Sequence, residues 1–451
     1  MLIAWVLLAL IVATVVLHFA SPWWLTPLAS NWGSIDSTIN LAFWVTGIVF
    51  VLVNLFLVWV VFYYRYDKNR RATYDPENKP LESWLTILTS IGVIAMLAPG
   101  LVVWANFVNV PEEANEVEAL GQQWQWTYRF PGEDGVLGQA NARFVTPENP
   151  FGIDPNDPAS QDDIIINSHR LHLPIDEPIK LVLRSNDVLH NFAVPNFRVK
   201  MDTVPGIQSY QWFTPSLKGT FDIMCMELCG LAHYTMRGQV IIEEREDFEA
   251  WLAQFPTFAE TQSRPAYDHS AGESLYMTCA GCHGMDGSGN AALNAPNLTM
   301  LDNWYMERQM RYYREGIRGT HPEDSWGQQM VAIASTVPEE TQADLLRYIE
   351  QLPLVASEPT LNGGDIERGK RIYESCAVCH GNQAEGRQLL GAPGLAGQAD
   401  WYLKRQLEHY SMGWRGRHEQ DQFGTQMRLM TRTIQSPERL NDLLAYIGSL
   451  Q

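Results

Sequence analysis

The chain has 451 residues and a formal net charge of −19, with six cysteines and only 18% charged residues. That length suits about three domains, and the acidic balance argues against nucleic acid as a partner and for a cationic protein. The low charged fraction, against about 25% in an average soluble domain, points to membrane segments.

Three apolar runs open the chain, roughly Leu2–Ala20, Leu41–Tyr63 and Trp84–Val108, each near the ~20 residues that cross a bilayer core. The loop between the second and third carries Arg65, Lys68, Arg70, Arg71 and Lys79, whereas Ser21–Asn40 carries no Lys or Arg. The positive-inside rule therefore puts the basic loop in the cytoplasm and everything after Asn109 on the opposite face. Trp23, Trp24, Tyr63, Tyr64 and Trp104 suit interfacial belts. The first run reads either as a signal peptide cleaved near Ala20-Ser21 or as a retained helix. Its start lacks a basic segment and its apolar stretch is long, which favours retention. Residues 1–109 are thus expected to be the membrane part.

From Val110 to Phe255 the pattern changes to short strands with Pro- and Gly-marked turns, as in Ile179-Lys180-Leu181-Val182-Leu183, which argues for a β-sandwich or barrel. Near its end stands Cys225-Met226-Glu227-Leu228-Cys229-Gly230-Leu231-Ala232-His233-Tyr234-Thr235-Met236. These soft sulfur and imidazole donors suit copper. Zinc also accepts two cysteines and two histidines, but it would not require the methionine. His169 and His172 match no motif and read as surface or core residues.

Together with Asp187-Val188-Leu189-His190-Asn191-Phe192, this segment resembles subunit II of haem-copper cytochrome c oxidases, and the resemblance extends over the transmembrane hairpin. It implies a cupredoxin-like Greek-key sandwich with a dinuclear CuA centre. Cys225 and Cys229 would bridge the coppers, His190 and His233 would bind one each, Met236 would be a weak ligand, and the Glu227 carbonyl would complete the set. The Glu227 carboxylate resembles the family's ligand to a Mg or Mn ion shared with subunit I. In Gln123-Trp124-Gln125-Trp126, Trp124 resembles the residue at which electrons enter the copper domain, although many family members have Tyr where Gln125 stands. Trp126 reads as core. Arg198–Gly206 is similar to a family segment near the same interface. Glu82, before the third apolar run, resembles a glutamate at the mouth of a proton-uptake channel, and a helix N-terminus also favours a carboxylate there through its dipole.

The remainder is an internal duplication at an offset of 97 residues. That offset relates Cys279-Ala280-Gly281-Cys282-His283 to Cys376-Ala377-Val378-Cys379-His380, Pro296 to Pro393, Trp304 to Trp401 and Gly319 to Gly416. Each CxxCH run is a haem c attachment signature with His283 or His380 as proximal ligand, and such attachment occurs outside the bacterial cytoplasm. Among the candidate distal methionines (Met300, Met306, Met310 and Met330; Met412, Met427 and Met430), Met330 and Met427 occupy equivalent places, 47 residues after their histidines. His/Met ligation raises the haem potential. The two repeats, 269–352 and 365–451, resemble all-α class I cytochromes c, in which the proline carbonyl orients the proximal histidine. The linkers Pro256–Asp268 and Pro353–Gly364 could be hinges or ordered loops, and the shorter path from the copper domain favours the first haem as its neighbour.

Function expected on these grounds is that of an electron-transfer subunit in a terminal oxidase of the bacterial cell membrane. Electrons would pass through two haems c and CuA to a haem-copper subunit I that reduces oxygen and pumps protons. Subunit III and a donor, either a cytochrome c or a quinol-oxidising complex, complete the expected partners. The chain lacks the multi-histidine membrane helices needed to reduce oxygen itself. Two rivals are the input subunit of a CuA-containing nitric oxide reductase and a membrane-tethered shuttle.

Overall fold

Three long apolar helices, α1 (Leu2–Ala20), α2 (Gly33–Tyr63) and α3 (Lys79–Val108), lead the chain in the computed structural model, which describes residues 2–21, 25–71, 76–263, 268–361, 363–434 and 436–450. All three are long and apolar enough to cross a membrane. Trp23 and Trp24 lie outside the described residues. Two helices begin earlier than their apolar runs do. In α2 the polar turn Gly33–Asn40 stays helical because the Ser37 and Thr38 hydroxyls bond to carbonyls four residues back and Asp36 stands in the first turn. In α3 the Asn78 side chain caps the start by accepting from Leu81 N–H, with Pro80 in the first turn. Apolarity marks where the bilayer begins, whereas capping marks where a helix begins.

The middle of the chain forms ten strands: β1 (Asn115–Gln122), β2 (Gln125–Phe130), β3 (Ile164–Ile166), β4 (Arg170–Pro174), β5 (Ile179–Ser185), β6 (His190–Val194), β7 (Val199–Thr203), β8 (Ser209–Phe213), β9 (Gly219–Met224) and β10 (Arg237–Glu243). They make two five-stranded sheets, ordered β3-β2-β1-β5-β8 and β4-β10-β9-β6-β7. Apolar side chains from both sheets, among them Trp126, Tyr128, Leu181, Phe192, Phe213 and Val240, form one shared core, which makes this a sandwich. It stands on the ends of the membrane helices. Arg198 grips Asp36 of α2 through two nitrogens at 2.7 and 2.9 Å, and Tyr210 and Trp212 donate to the carbonyls of Val108 and Asn106 in α3.

The helices α4 (Arg245–Leu252) and α5 (Phe258–Gln262) lead from the sandwich to two similar helical units. The first contains α6 (His269–His283), α7 (Asn303–Arg314), α8 (Ser325–Ala334) and α9 (Glu339–Glu350). The second contains α10 (Ile366–His380), α11 (Asp400–Met412), α12 (Gln422–Met430) and α13 (Pro437–Gly448). In each unit the first and last helices cross at a glycine. A Cβ on Gly272 would lie 2.4 Å from the Asp344 carbonyl oxygen, and one on Gly369 would lie 2.0 Å from that of Asp442. The described part of the second linker is bound down: Asn297 donates to the Val355 carbonyl, Ser357 N–H to that of Gly397, and Thr360 and Leu361 to the Asp400 carboxylate.

Candidate metal and haem centres

Strand β9 delivers Cys225 at its end, the loop turns at His233–Thr235, and Met236 directly precedes β10. His190 opens β6 in the same sheet. The Cys225 and Cys229 sulfurs lie 3.7 Å apart, Cys229 Sγ is 3.3 Å from His233 Nδ1 and 3.8 Å from Met236 Sδ, and Cys225 Sγ is 3.3 Å from the Glu227 carbonyl oxygen. Donor atoms of His190, Cys225 and Cys229 all fall within 4.8 Å of one another, and the three side chains are buried. Pairing with Cys229 and the neighbouring His190 ring hold the Cys225 thiol well below the ordinary range despite burial, while the same pairing and burial push Cys229 up.

Asp187 sets the orientation of His190. It accepts from His190 Nε2–H at 2.8 Å and from the backbone N–H of Gln123 and Val188, both at 2.6 Å. That leaves His190 Nδ1 buried without a hydrogen-bond partner, an expensive state unless the lone pair serves a metal. With two thiolates, two imidazoles and a thioether converging, the donor set fits a soft dinuclear copper site.

Trp124 is 2% exposed and packs directly against this loop. Its indole N–H and the Gln123 side-chain amide both donate to the Cys229 carbonyl, at 3.1 and 2.8 Å. Gly230 makes the contact possible. Its φ is +119°, and a Cβ there would lie 2.8 Å from Gln123 Nε2 and 3.0 Å from Trp124. Trp126 is a core residue against His190 and Phe192, and His172 stacks on Trp251 while bonding to Glu243.

Each helical unit encloses a cavity at its CxxCH run. The first, of about 370 Å³, is lined by Cys279, Cys282, His283, Met306, Met310 and Met330; the second, of about 130 Å³, by Cys376, Cys379, His380, Met427 and Met430. His283 Nδ1–H donates to the Pro296 carbonyl at 2.9 Å and His380 Nδ1–H to that of Pro393 at 2.8 Å. This fixes each tautomer and leaves the Nε2 lone pair free to bind a metal. Met300 packs on Gly397 and Met412 is half exposed, so neither lines a cavity.

Among the described residues the second unit carries the hydrogen bonds and ion pair to the sandwich, which corrects the order inferred from linker length. Trp124, Leu231 and Ala232 line the second cavity alongside Cys376, Cys379 and His380, and Cys379 packs on the sandwich core. Gln426, next to Met427, donates to the Trp124 carbonyl at 2.8 Å, Gln125 donates to the Leu389 carbonyl at 3.0 Å, and Arg170 pairs with Glu419 at 2.5 Å. Linker length misleads because the chain runs past the copper domain through the first unit before the second folds back.

Asp187, Gln123, Gln426 and Leu231 went unassigned from sequence. Gln426 could have been suspected from its place beside Met427 and its repeat equivalent Gln329. Glu82 stands in the first turn of α3, at the opposite end of that 30-residue, ~45 Å helix from the sandwich. Glu227 lies at the surface, its carboxylate 3.6 Å from Lys200.

Residues 115–244 match the family model described as cytochrome c oxidase subunit II, periplasmic domain, and residues 269–353 and 366–451 each match cytochrome c. An alternative cytochrome c oxidase subunit 2 from Bradyrhizobium diazoefficiens is 54% identical over 266 residues, covering 59% of this chain and 96% of that relative. A cytochrome c oxidase subunit 2 from Cereibacter sphaeroides is 27% identical over 226 residues, covering 47% and 75%. Among solved structures, the periplasmic domain of subunit II of cytochrome oxidase from Bradyrhizobium japonicum aligns at 24% identity and TM-score 0.24, over 35% of this chain and all of that one.

Proposed function

The chain belongs to the cytochrome c oxidase subunit 2 family, and from that premise we propose that it delivers electrons to an oxygen-reducing haem-copper subunit I, with its two cytochrome c units in series ahead of the copper site. Membership implies CuA in the sandwich, and the cytochrome c matches imply haem c in the helical units. Once bound, these groups supply one-electron redox couples of low reorganisation cost, and the chain sets them in line. Cys225, Cys229, His190, His233, Met236 and the Glu227 carbonyl would hold the copper pair. Cys279, Cys282, His283 and Met330 would hold one haem, and Cys376, Cys379, His380 and Met427 the other.

The observation that carries this reading is the lining of the second cavity, where Trp124, Leu231 and Ala232 of the copper domain meet the Cys376-to-His380 motif. It supports a path from the first unit to the second and thence through Trp124, with external donors received at the first unit. On the copper loop, Met226 and Leu228 are exposed apolar side chains flanking the Glu227 carboxylate. That combination suits docking on a membrane partner, with Glu227 contributing to a shared Mg or Mn ion there. The three apolar helices would anchor the chain in the bacterial cell membrane, with the sandwich and cytochrome units outside. Oxygen reduction and proton translocation would belong to subunit I, and Glu82 stands at the cytoplasmic end, where it could pass protons to that partner.

Metal and haem analysis with low-temperature EPR, on the complex isolated through this chain, tests the proposal. Two haems c per chain, a CuA signal and a partner that holds haem and copper and consumes oxygen are expected. Non-haem iron in the partner with consumption of nitric oxide would replace the oxidase by a reductase.

A further inference from the structure

The two cytochrome units meet across a layer that the internal repeat makes symmetric. Arg318 donates to Oε1 of Gln309 at 2.6 Å and to Oε1 of Gln406, in the other unit, at 2.9 Å. Arg415, 97 positions after Arg318, donates to Oε1 of Gln406 at 2.6 Å and to Oε1 of Gln309 at 3.1 Å. Each amide oxygen therefore accepts from both guanidiniums. Arg318 lies 4.7 Å over the Tyr313 ring and Arg415 4.4 Å over that of Tyr410.

Charge in this layer does not balance. Arg318 is 7% and Arg415 4% exposed, and among the described residues neither has a carboxylate within ion-pair distance. The nearby Asp324 and Asp421 are engaged instead by the N–H groups of Gly327 and Gly424, with His409 3.8 Å from Asp324. Arginine cannot shed its proton, and a buried cation without an anion is costly. Nε of Arg415 is buried with no hydrogen-bond partner. The layer also walls both cavities. Gln309, Gln406, Tyr305 and Tyr402 line each of them, Arg318 lines the first and Arg415 the second.

We propose that Arg318 and Arg415 form one shared anion site for the carboxylate side chains of both haems, so that each haem is held partly by the other unit. The inference rests on the reading that both units carry haem c. A haem brings two carboxylates, which bidentate guanidinium donors suit, and these would supply the missing negative charge. The two redox couples then share their counter-charges, and a change at either arginine reaches both.

The test is a spectroelectrochemical titration of R318Q and R415Q in the full chain within its complex, with covalent haem counted per chain. Each substitution removes a cation that disfavours the ferric state. The expected result is that both midpoint potentials fall in each variant, by about 59 mV for a tenfold change in a one-electron equilibrium. R318K and R415K should recover part of the shift. If only the haem of the substituted unit moves, or neither moves with both haems loaded, the shared site is wrong. Wild-type potentials that follow chloride concentration, with no such dependence in R415Q, would assign the layer to a free anion and also overturn it. Should the Gln variants fail to take up haem, the Lys variants carry the test, since each must shift both potentials. Fewer than two haems in the unsubstituted chain would defeat the cofactor reading instead.

Discussion

Gln426 donates its side-chain amide to the backbone carbonyl of Trp124 at 2.8 Å, joining residues 302 positions apart. Trp124 in turn donates its indole N–H to the carbonyl of Cys229. A continuous run of covalent and hydrogen bonds thus links Met427, through its neighbour Gln426, to the copper loop. Replacing Gln426 by Leu removes one docking bond, worth about 1 kcal/mol, and should slow electron transfer into the copper domain several-fold. Flash-induced kinetics within the chain would check this, with both haem potentials unchanged. An unaltered rate would remove Gln426 from the path.

Met330 and Met427 hold equivalent places in the repeat, and each lines its own cavity. Exchanging either for His should lower one haem potential, since His/Met ligation is the higher-potential arrangement. With the second unit nearest the copper domain, Met427→His should also hinder reduction of the copper site, while Met330→His should act earlier, on uptake from an external donor. Redox titration and stopped-flow reduction distinguish the two. If Met306, Met310 or Met430 substitutions shift the potentials and these do not, the axial assignment moves to those residues.

Asp187 touches no sulfur of the copper loop, yet it fixes the His190 ring through Nε2 and receives the Gln123 N–H beside Trp124. Asp187→Asn should therefore weaken copper binding by about 10–100-fold, the usual cost of losing a ligand's orienting partner. Competitive copper titration measures it, and wild-type affinity in the variant would show that packing alone orients His190.

Asp400 ties the second linker to α11. Burial alone would raise its carboxyl, but N–H groups of Leu361, Thr360 and Trp401 and the Thr360 hydroxyl together hold it below the usual range. A carboxylate depressed in the folded state stabilises the protein above the unfolded value of about 4, and that contribution is lost as pH falls through the depressed value. Asp400→Asn should cost about 2 kcal/mol near neutral pH, from weakened charge-assisted hydrogen bonds, and should flatten the acid limb of stability. Thermal unfolding followed from neutral pH to below about pH 3 would reveal a parallel acid limb if Asp400 contributes nothing.

Cys225-to-Met236, the two CxxCH runs and the three apolar runs were legible in the sequence by themselves. Copper-type donors and haem attachment need particular residues at short fixed spacings, and a bilayer needs about 20 apolar residues in a row, so each signal is local. The 97-residue repeat likewise puts Met330 and Met427 at equivalent places, and each lines its own cavity beside other methionines. Helix starts were less legible, because Asn78 and the Ser37 and Thr38 hydroxyls extend helices beyond their apolar cores. Tertiary structure alone decided which cytochrome unit adjoins the sandwich, and that Gln125 donates to the Leu389 carbonyl. It alone also brought Arg318 and Arg415 together. Such contacts join residues 88 to 302 positions apart through single amides and guanidiniums, and they arise only when whole units pack against one another.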